Sequence, residues 1–422
     1  MNSTMALCLM LNDRLFHNHV ENSYLHIDTM VNTRRNGLAV PNRSLLQLQR
    51  DHVASEMDFS WQPLGAGRPS DAARGIMTNG VTCYQVSVLQ TLLHQPPFMR
   101  WILMHNSTNL PCKINPCIAC YLKQLVAQYW DGSNPANPVD YNHNDPQSID
   151  NTACNSGLFG NGEQEDAGLF YMWLLDELYH IGDNVPKAGS PYGIRWKPQL
   201  DALYRLTIQR LDTCIPCGYE TPGPLQHDWS VDLGVLATHT DIQQAITHDL
   251  NEQIQKRCQR CGQNNPAQTI RRRRIAAAPK ILCCRFMIVL PTGKIFHTLR
   301  YPEILNLQNR QEINTLPLNY RLTGVVSHRG GGLKGGHFIA SVRGRRTGQF
   351  TCINDNNKAS ITLPQFLANP VQPPGRLCGP NAKFQAYMLM YERDDRLRQM
   401  PARPGKDGGK KRLRREMRAL QG

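Results

Sequence analysis

One cysteine of this sequence directly precedes a helical pattern of apolar residues, and this position can activate a thiol. Val86, Leu89 and Leu93 follow Cys83 at a spacing that predicts an amphipathic helix. Free N–H groups and a partial positive charge at a helix N-terminus stabilise a thiolate, lower its pKa and can hold an oxyanion. Cys83 is therefore a candidate nucleophile. The alternative is that it is one more buried cysteine.

A thiol nucleophile needs a positioned base, and the base needs a partner that fixes its tautomer. His337 follows a glycine-rich loop and begins the strand-like segment HFIASVR. Asn354 and Asp355 end the next strand-like segment, which can lie beside His337 in a hairpin. His337 is therefore the candidate base. His328 is its rival, but it precedes the loop, which favours a structural role.

The loop before His337 is rich in glycine. Five glycines flank Leu333 and Lys334, and glycine adopts backbone conformations that other residues avoid. Such a loop lets a substrate backbone approach closely, so Gly335 and Gly336 are candidate substrate-binding residues.

Two Cys-x2-Cys pairs have the spacing of metal ligands. They are Cys214 with Cys217, and Cys258 with Cys261. Four thiolates complete a tetrahedral Zn²⁺ shell, so a structural zinc ion is favoured over disulfides or spare thiols. Forty residues, 218–257, separate the pairs, so an insertion must extend from this site.

A second group of cysteines has less regular spacing. Cys112, Cys117 and Cys120, with His105 nearby, could form another metal site. Ordinary packing is the favoured interpretation of these residues.

Composition limits the class of protein. The chain has 422 residues, 41% hydrophobic and 19% charged, which fits one large globular domain or two ordinary ones. No apolar run approaches a membrane span, and the N-terminus lacks a signal-peptide pattern, so we expect a cytoplasmic or nuclear protein. Its 14 cysteines are then thiols or metal ligands rather than disulfides.

The net charge of +14 is unevenly distributed. Residues 393–422 contain 11 Lys and Arg against 4 Asp and Glu. We therefore expect residues 394–422 to be a basic disordered tail. The motif KKRLRREMR within it favours nuclear localisation, through a weak importin contact, or binding to an anionic surface such as nucleic acid.

Helical patterns dominate the first half of the chain and strand patterns the second, which predicts an α+β fold. Residues 1–70 show weak periodicity and are expected to be a poorly ordered extension with a few helical turns. Residues 131–162 are rich in Asn, Asp, Pro and Gly and are expected to form a long surface loop.

Residues 75–90, GIMTNGVTCYQVSVLQ, resemble the cysteine box of ubiquitin-specific proteases. The matching residues are Gly75, Gly80, Thr82, Cys83, Tyr84, Leu89 and Gln90. The family has an oxyanion-stabilising asparagine five residues before the cysteine, where this chain has Thr78. Either Asn79, one residue later, or the hydroxyl of Thr78 would fill that role.

Residues 320–340 are similar to the histidine box of the same family. The matching residues are Tyr320, Leu322, Val326, His328, Gly330, Gly336, His337, Phe338 and Ala340. The third catalytic residue of the family maps to Asn354, with Asp355 as its acidic neighbour.

The segment QEDAGLF resembles the family's Gln-x-Asp-Ala-His-Glu-Phe box, in which acidic residues grip the basic C-terminal tail of ubiquitin. The matching residues are Gln164, Asp166, Ala167 and Phe170. The resemblance implies that Asp166 pairs with an arginine of that tail. Gly168 and Leu169 replace the His and Glu, which implies weaker or altered tail recognition.

The resemblance implies a papain-like fold with thumb, palm and zinc-ribbon fingers. The catalytic domain would span residues 71–393, with the thumb at about 71–205, the fingers at about 206–275 and the palm at about 276–393. It implies a deubiquitinase that hydrolyses the bond after the C-terminal glycine of ubiquitin through a thioester. We expect a monomer, although the sequence leaves the oligomeric state open. The alternative is a catalytically impaired ubiquitin-binding pseudo-protease on the same fold. The physiological substrate, the linkage preference and a ubiquitin-like modifier as target stay open.

Overall fold

The structure, a computed structural model, describes most of the chain between residues 43 and 395. The described residues are 43–57, 73–78, 80–105, 112–131, 137–141, 148–160, 162, 164–184, 191–261, 266–290, 293–312, 317–332, 335–344, 349–368 and 384–395. The rest of the predicted N-terminal extension and nearly all of the predicted tail lie outside these ranges.

Helices come first and strands later, so the α+β prediction is confirmed. The helices are α1 (Arg43–Ser55), α2 (Cys83–Leu93), α3 (Pro96–Leu103), α4 (Ile118–Tyr129), α5 (Ile149–Asn155), α6 (Ala167–Asn184), α7 (Pro191–Tyr204), α8 (Ile242–Asp249) and α9 (Leu363–Ala368). The strands are β1 (Leu206–Cys214), β2 (Glu220–Asp228), β3 (Val231–Gly234), β4 (Asn251–Lys256), β5 (Ala267–Ala277), β6 (Ile281–Met287), β7 (Val289–Leu290), β8 (Gly293–Lys294), β9 (Ile304–Asn306), β10 (Asn319–Arg329), β11 (His337–Arg343), β12 (Gln349–Asn354), β13 (Asn357–Thr362) and β14 (Gln385–Arg393).

The second half of the described chain is organised around one large sheet. Its strand order is β13-β12-β11-β10-β14-β6-β3, and β9 also pairs with β10. The central strands β10, β14 and β6 are buried along most of their length. Strands that are covered on both faces read as mostly apolar runs, which is the pattern of the segment APKILCCRFMIVL that contains β6.

A smaller antiparallel sheet projects from the middle of the chain. Its order is β2-β1-β5-β4. β2 is mostly exposed, so this sheet depends on its neighbours rather than on a core of its own. It corresponds to the predicted fingers, and it carries the two Cys-x2-Cys pairs near the ends of β1 and β4.

Helix α2 connects the helical half to the large sheet. It packs against β11, β10 and α6. The sequence predicted an amphipathic helix, but every residue of α2 is buried. Its polar side chains are satisfied inside the protein, since Gln85 donates to Asp150 Oδ1 (2.6 Å) and Gln90 donates to the carbonyl of Arg74 (2.9 Å).

Two segments that the sequence left irregular contain helices. Helix α1, within the predicted extension, packs on α7 and β5. Helix α5 lies inside the expected loop at 131–162, where Ile149 and Ala153 are fully buried and Ser148 caps the helix by accepting from the N–H of Asn151. The helices of the described residues include none that is long and apolar enough to cross a membrane.

Candidate active site

Cys83 begins helix α2 and is almost completely buried, with 1% of its surface exposed. The backbone N–H groups of Phe338 and Tyr84 donate to its thiol. The side-chain amide of Gln164 also approaches it, with Nε2 3.5 Å from Sγ. The structure therefore brings residues from α2, from β11 and from the segment before α6 to one sulfur atom.

The resting ionisation of Cys83 differs from the sequence-based expectation. The helix N-terminus was expected to lower the pKa of this thiol. Burial instead raises the pKa of Cys83, and the negative charge of Asp355 adds to this effect against the lowering by Phe338, Tyr84 and Gln164. A buried thiolate loses its hydration, and donor groups compensate only in part. The resting form is therefore the thiol.

His337 begins β11 and has the partner that the sequence suggested. Its Nε2 lies 2.6 Å from Asn354 Oδ1 and 3.6 Å from Asp355 Oδ2. An amide oxygen only accepts hydrogen bonds, so Nε2 carries the hydrogen and Nδ1 keeps a lone pair. Because Phe338, the next residue, donates its N–H to the Cys83 thiol, His337 is held next to the nucleophile candidate.

A close backbone contact joins the cysteine segment to the β12–β13 turn. The N–H of Ile76 donates to the carbonyl of Asp355 (3.1 Å). A Cβ on Gly75 would collide with the carbonyl of Asn356, so only glycine fits there. Asp355 itself has a φ of +53°, a left-handed conformation that Asp tolerates better than most residues. These contacts position Asn354 against His337.

The turn before Cys83 is partly described. Thr78 is half-buried, and Asn79 lies outside the described residues. The oxyanion role suggested for these two residues therefore stays a prediction. Gln164 is the residue that sequence reasoning missed. It was matched to a family box but given no role, although its place at the start of that box was the available signal.

The rival base His328 is placed differently. Its ring is buried against Phe338, with ring centroids 4.4 Å apart, and its Nδ1 lies 2.7 Å from Lys294 Nζ. Burial lowers the pKa of His328 to about 3. These contacts support the structural role that the sequence favoured for this residue.

Asp166 uses its carboxylate within the chain. Oδ1 accepts from the N–H groups of Gly168 (2.6 Å) and Leu169 (2.9 Å), which caps α6. Oδ2 accepts from the hydroxyl of Tyr387. A Cβ on Gly168 would collide with the side chain of Arg285, so a residue with a side chain cannot replace it without moving this arginine. Binding of a substrate arginine by Asp166 stays a prediction.

The glycine-rich loop lies next to these groups. Gly335 and Gly336 are exposed, and the carbonyl of Gly336 accepts from Gln164 Nε2 (2.7 Å). Gly336 has a φ of +151°, and a Cβ there would collide with the carbonyl of Arg329. Leu333 and Lys334 lie outside the described residues, and substrate binding by the two glycines stays a prediction.

The two Cys-x2-Cys pairs come together in space. Sγ atoms are 3.6 Å apart for Cys214 with Cys261 and also for Cys217 with Cys258. Zn–S bonds of about 2.3 Å give a tetrahedral edge of about 3.8 Å, so the spacing fits. The hydrogen bonds from the N–H of Cys261 and from other donors lower the pKa of Cys258 to about 6. The four residues could hold a metal ion.

A second group also brings its ligand atoms together. The atoms of His105, Cys112, Cys117 and Cys120 all lie within 4.8 Å of one another. The sequence favoured ordinary packing for these residues. Their convergence means that this group also could hold a metal ion, and the preference for ordinary packing stays a prediction.

Comparison with known proteins agrees with this architecture. Residues 74–391 match the model of the ubiquitin carboxyl-terminal hydrolase family. The human ubiquitin carboxyl-terminal hydrolase 17-like protein 11 is 23% identical over 346 residues, which cover 78% of this chain and 57% of that protein. The chain thus matches just over half the length of this relative.

Solved structures support the fold. The SAGA DUB module of Ubp8, Sgf11, Sus1 and Sgf73 bound to monoubiquitin matches with a TM-score of 0.62 and 19% identity, covering 85% of this chain and 76% of that one. A yeast SAGA DUB module matches with a TM-score of 0.59, also at 19% identity and with the same coverage. The predicted papain-like arrangement of thumb, palm and fingers is confirmed. The chain therefore belongs to the ubiquitin carboxyl-terminal hydrolase family.

Proposed function

We propose that this protein is a thiol-dependent ubiquitinyl hydrolase that cleaves the bond after the C-terminal glycine of ubiquitin. The observation that carries the proposal is the pairing of His337 with Asn354, beside a buried thiol at the start of a helix. Nucleophile, base and orienting group are the three parts that thiol acyl transfer needs. They come from α2, β11 and β12, and α2 is far from the other two elements in sequence.

The proposed reaction begins with Cys83 as a thiol. Sγ attacks the carbonyl carbon of the terminal glycine while the thiol proton moves to Nδ1 of His337. The tetrahedral intermediate collapses when His337 returns the proton to the leaving lysine amine, and a thioester remains. Water then attacks the thioester with His337 as base, which releases the ubiquitin carboxylate and restores the thiol. Since the thiol is protonated at rest, proton transfer accompanies attack.

Two oxyanion donors, two glycines and one carboxylate are proposed to hold the oxyanion and the substrate. The N–H of Cys83 is one oxyanion donor, and the second comes from Asn79, Thr78 or the amide of Gln164, which is 3.5 Å from Sγ. Gly335 and Gly336 would pair with the backbone of the ubiquitin tail. The Asp166 carboxylate already accepts from the hydroxyl of Tyr387, and we propose that it also pairs with an arginine of that tail.

We also propose that the four cysteines of the small sheet bind a structural Zn²⁺. A set of four sulfur ligands selects zinc among the common divalent ions, and a closed shell leaves no position for catalysis. Gly218, with a φ of +67°, closes the turn after Cys217, and its N–H donates to the carbonyl of Cys214 (2.8 Å). The ion would tie β1 to the residues after β4.

The remaining assignments concern place and partners. We propose a monomer of the cytoplasm or nucleus whose partners are ubiquitin or ubiquitinated proteins. The basic tail at 394–422 would make weak contacts with an importin or with nucleic acid.

Deleting residues 396–422 should leave hydrolysis of a small ubiquitin substrate within about twofold but change localisation. Loss of catalysis would place the tail in the folded domain.

The test uses ubiquitin with a thiol-trapping group at its C-terminus, followed by a turnover assay with a ubiquitin amide. The wild type should form a covalent adduct, Cys83→Ala should form none, and Cys154→Ala, a matched control at a half-exposed thiol, should react as the wild type does. An adduct at another cysteine would contradict the proposal. A wild type that binds ubiquitin without turnover would identify the pseudo-protease alternative, for which Thr78 in place of asparagine is the motivating observation.

A further inference from the structure

A second group of possible metal ligands lies outside the small sheet. His105 follows α3, Cys112 lies in the connection to α4, and Cys117 and Cys120 lie at the start of α4. Their ligand atoms lie within 4.8 Å of one another, the same limit that the four cysteines of the small sheet meet. We call this group the thumb cluster.

The spacing of ligand atoms in the thumb cluster is close to that of a tetrahedral zinc shell. His105 Nε2 lies 3.3 Å from Cys117 Sγ. Bonds of about 2.3 Å to sulfur and about 2.0–2.1 Å to nitrogen give an N···S edge of about 3.6 Å. Cys117 is the N-cap residue of α4 and Cys120 is in its first turn, so one helix start supplies two ligands. The backbone N–H of Cys120 donates to the Cys117 thiol, a contact that the start of a helix makes available.

The surroundings hold the ligands in place and offset their charge. The ring of His105 is buried against Trp196, with centroids 5.6 Å apart, which restricts its rotation. Lys123 Nζ donates to the carbonyl of His105 at 2.6 Å, so a cation lies beside the cluster. Three thiolates and a divalent ion leave one negative charge, which this lysine offsets.

We infer that the thumb cluster is a structural zinc site with three sulfur ligands and one nitrogen ligand. A Cys3His set is a standard closed zinc shell, and softer sulfur donors exclude Mg²⁺ and Ca²⁺. The site joins the end of α3 to the start of α4. It differs from the small-sheet site in its ligands, its position and the elements that it connects.

The thumb site also has a route to the nucleophile helix. In α4, the hydroxyl of Tyr129 donates to Gln90 Oε1 (2.7 Å), and Tyr121 donates to the carbonyl of Tyr141. Tyr141 in turn donates to Gln85 Oε1 (2.7 Å). Both glutamines belong to α2, which begins at Cys83. A metal ion that fixes α4 therefore stabilises the helix that carries the nucleophile.

The first measurement is the zinc content of protein purified without chelators. We expect about two zinc ions per wild-type chain, and about one in Cys117→Ser/Cys120→Ser. Cys214→Ser/Cys258→Ser should also keep about one, and the control Cys154→Ser should keep both. A wild type with one ion that only the small-sheet variant loses would overturn the thumb site and leave the small-sheet site in place. A wild type with none would overturn both.

A second measurement needs no substitution, in case a thumb variant fails to fold. Zinc X-ray absorption of the wild type should show seven sulfur ligands and one nitrogen ligand over two ions, from seven cysteines and His105. Pure sulfur coordination would contradict the thumb site. The variant Cys112→His replaces one ligand by another. It should retain two zinc ions and raise the average number of nitrogen ligands per ion, whereas replacing a cysteine that only packs would leave this number unchanged.

Discussion

The side-chain amide of Gln164 lies between Cys83 and the loop before His337. Its Nε2 is 3.5 Å from Cys83 Sγ and 2.7 Å from the carbonyl of Gly336. An amide nitrogen carries two hydrogens, so Gln164 can keep its bond to the loop while it donates toward the sulfur or toward a developing oxyanion. Donation to the oxyanion is the role that the sequence analysis suggested for Thr78 or Asn79.

The first prediction concerns this amide. Gln164→Ala should lower kcat by about tenfold to a thousandfold with little change in KM, because a donor to an oxyanion acts only in the transition state. Steady-state kinetics on a ubiquitin amide measures this, with Thr78→Ala and Asn79→Ala as comparison variants. If Asn79→Ala alone lowers kcat and Gln164→Ala is silent, the oxyanion donor belongs to the turn before the cysteine.

The second prediction separates the two residues beside His337. Asn354→Ala should lower kcat by about tenfold or more, since Nε2 loses its partner at 2.6 Å. Asp355 Oδ2, at 3.6 Å from the same nitrogen, should supply part of the lost interaction. The double variant Asn354→Ala/Asp355→Asn should therefore be slower than either single variant. Asp355→Asn alone serves as control, because asparagine tolerates the left-handed turn; equal rates for single and double variants would remove Asp355 from the role.

The third prediction concerns the resting protonation of Cys83. Burial raises the pKa of this thiol from its ordinary value of 9.0, so the thiolate should form only above that pH in the free enzyme. The pH at which this thiolate forms can be measured from thiolate absorbance near 240 nm. Subtracting the absorbance of Cys83→Ser from that of the wild type removes the contribution of the other cysteines. A difference signal already present at pH 6–7 would show a preformed thiolate–imidazolium pair and refute the prediction.

The fourth prediction is acid destabilisation between about pH 6.5 and pH 4. Burial lowers the pKa of His94, His227 and His297 to about 4 and that of His328 to about 3. These groups stay neutral in the folded protein, while the unfolded chain binds protons below about pH 6.5. Stability is therefore complete above that pH and is lost as the pH falls toward 4.

The size of this effect can be bounded. Each such histidine contributes at most about 1.4 kcal/mol per pH unit within the window. Asp228 opposes them below pH 6, because burial raises its pKa to about 6 and the folded protein then holds the extra proton. Urea unfolding at several pH values measures the net slope. His297→Gln should reduce the slope, and His180→Gln, at an exposed position on α6, should not; stability that is flat or rises toward pH 4 would contradict the assignment.

The sequence was sufficient for the parts of the site that depend on local pattern. Cys83 and His337 each stand at the start of an element, and the turn that follows β12 brings Asn354 within reach. The four small-sheet cysteines come in two pairs with ligand spacing. Such features are short-range, so spacing and residue type carry most of the information.

What sequence could not provide depends on three-dimensional contact. The pKa of Cys83 follows from burial by β11 and from the charge of Asp355, and neither is visible in the residues around the cysteine. The sequence named His105, Cys112, Cys117 and Cys120 as possible ligands, but only the fold shows that their ligand atoms converge. Gln164 reaches Cys83 from the segment before α6. Each of these relationships joins elements whose relative positions only the folded chain defines.

The last prediction concerns helix α1, whose contacts the weakly periodic sequence did not predict. Arg50 is 6% exposed, and its guanidinium donates to Thr207 Oγ1 (2.7 Å) and to the carbonyls of Arg205 and Ala277. Next to it, Asp51 pairs with Arg393 at 2.6 Å. Helix α1 therefore ties the end of α7 and the small sheet to the last strand of the large sheet.

Arg50→Met, which keeps an apolar stem but removes the donors, should lower the free energy of unfolding by about 1–3 kcal/mol, because the buried acceptors lose their partner. Asp51→Ala should also destabilise, since it leaves a buried arginine short of one partner. Gln49→Ala, exposed on the same helix, should be near neutral. Because α1 packs mainly on α7 and β5, which carry neither Cys83 nor His337, kcat of the folded variants should match the wild type. A loss of kcat without a loss of stability would mean that α1 acts on the site itself.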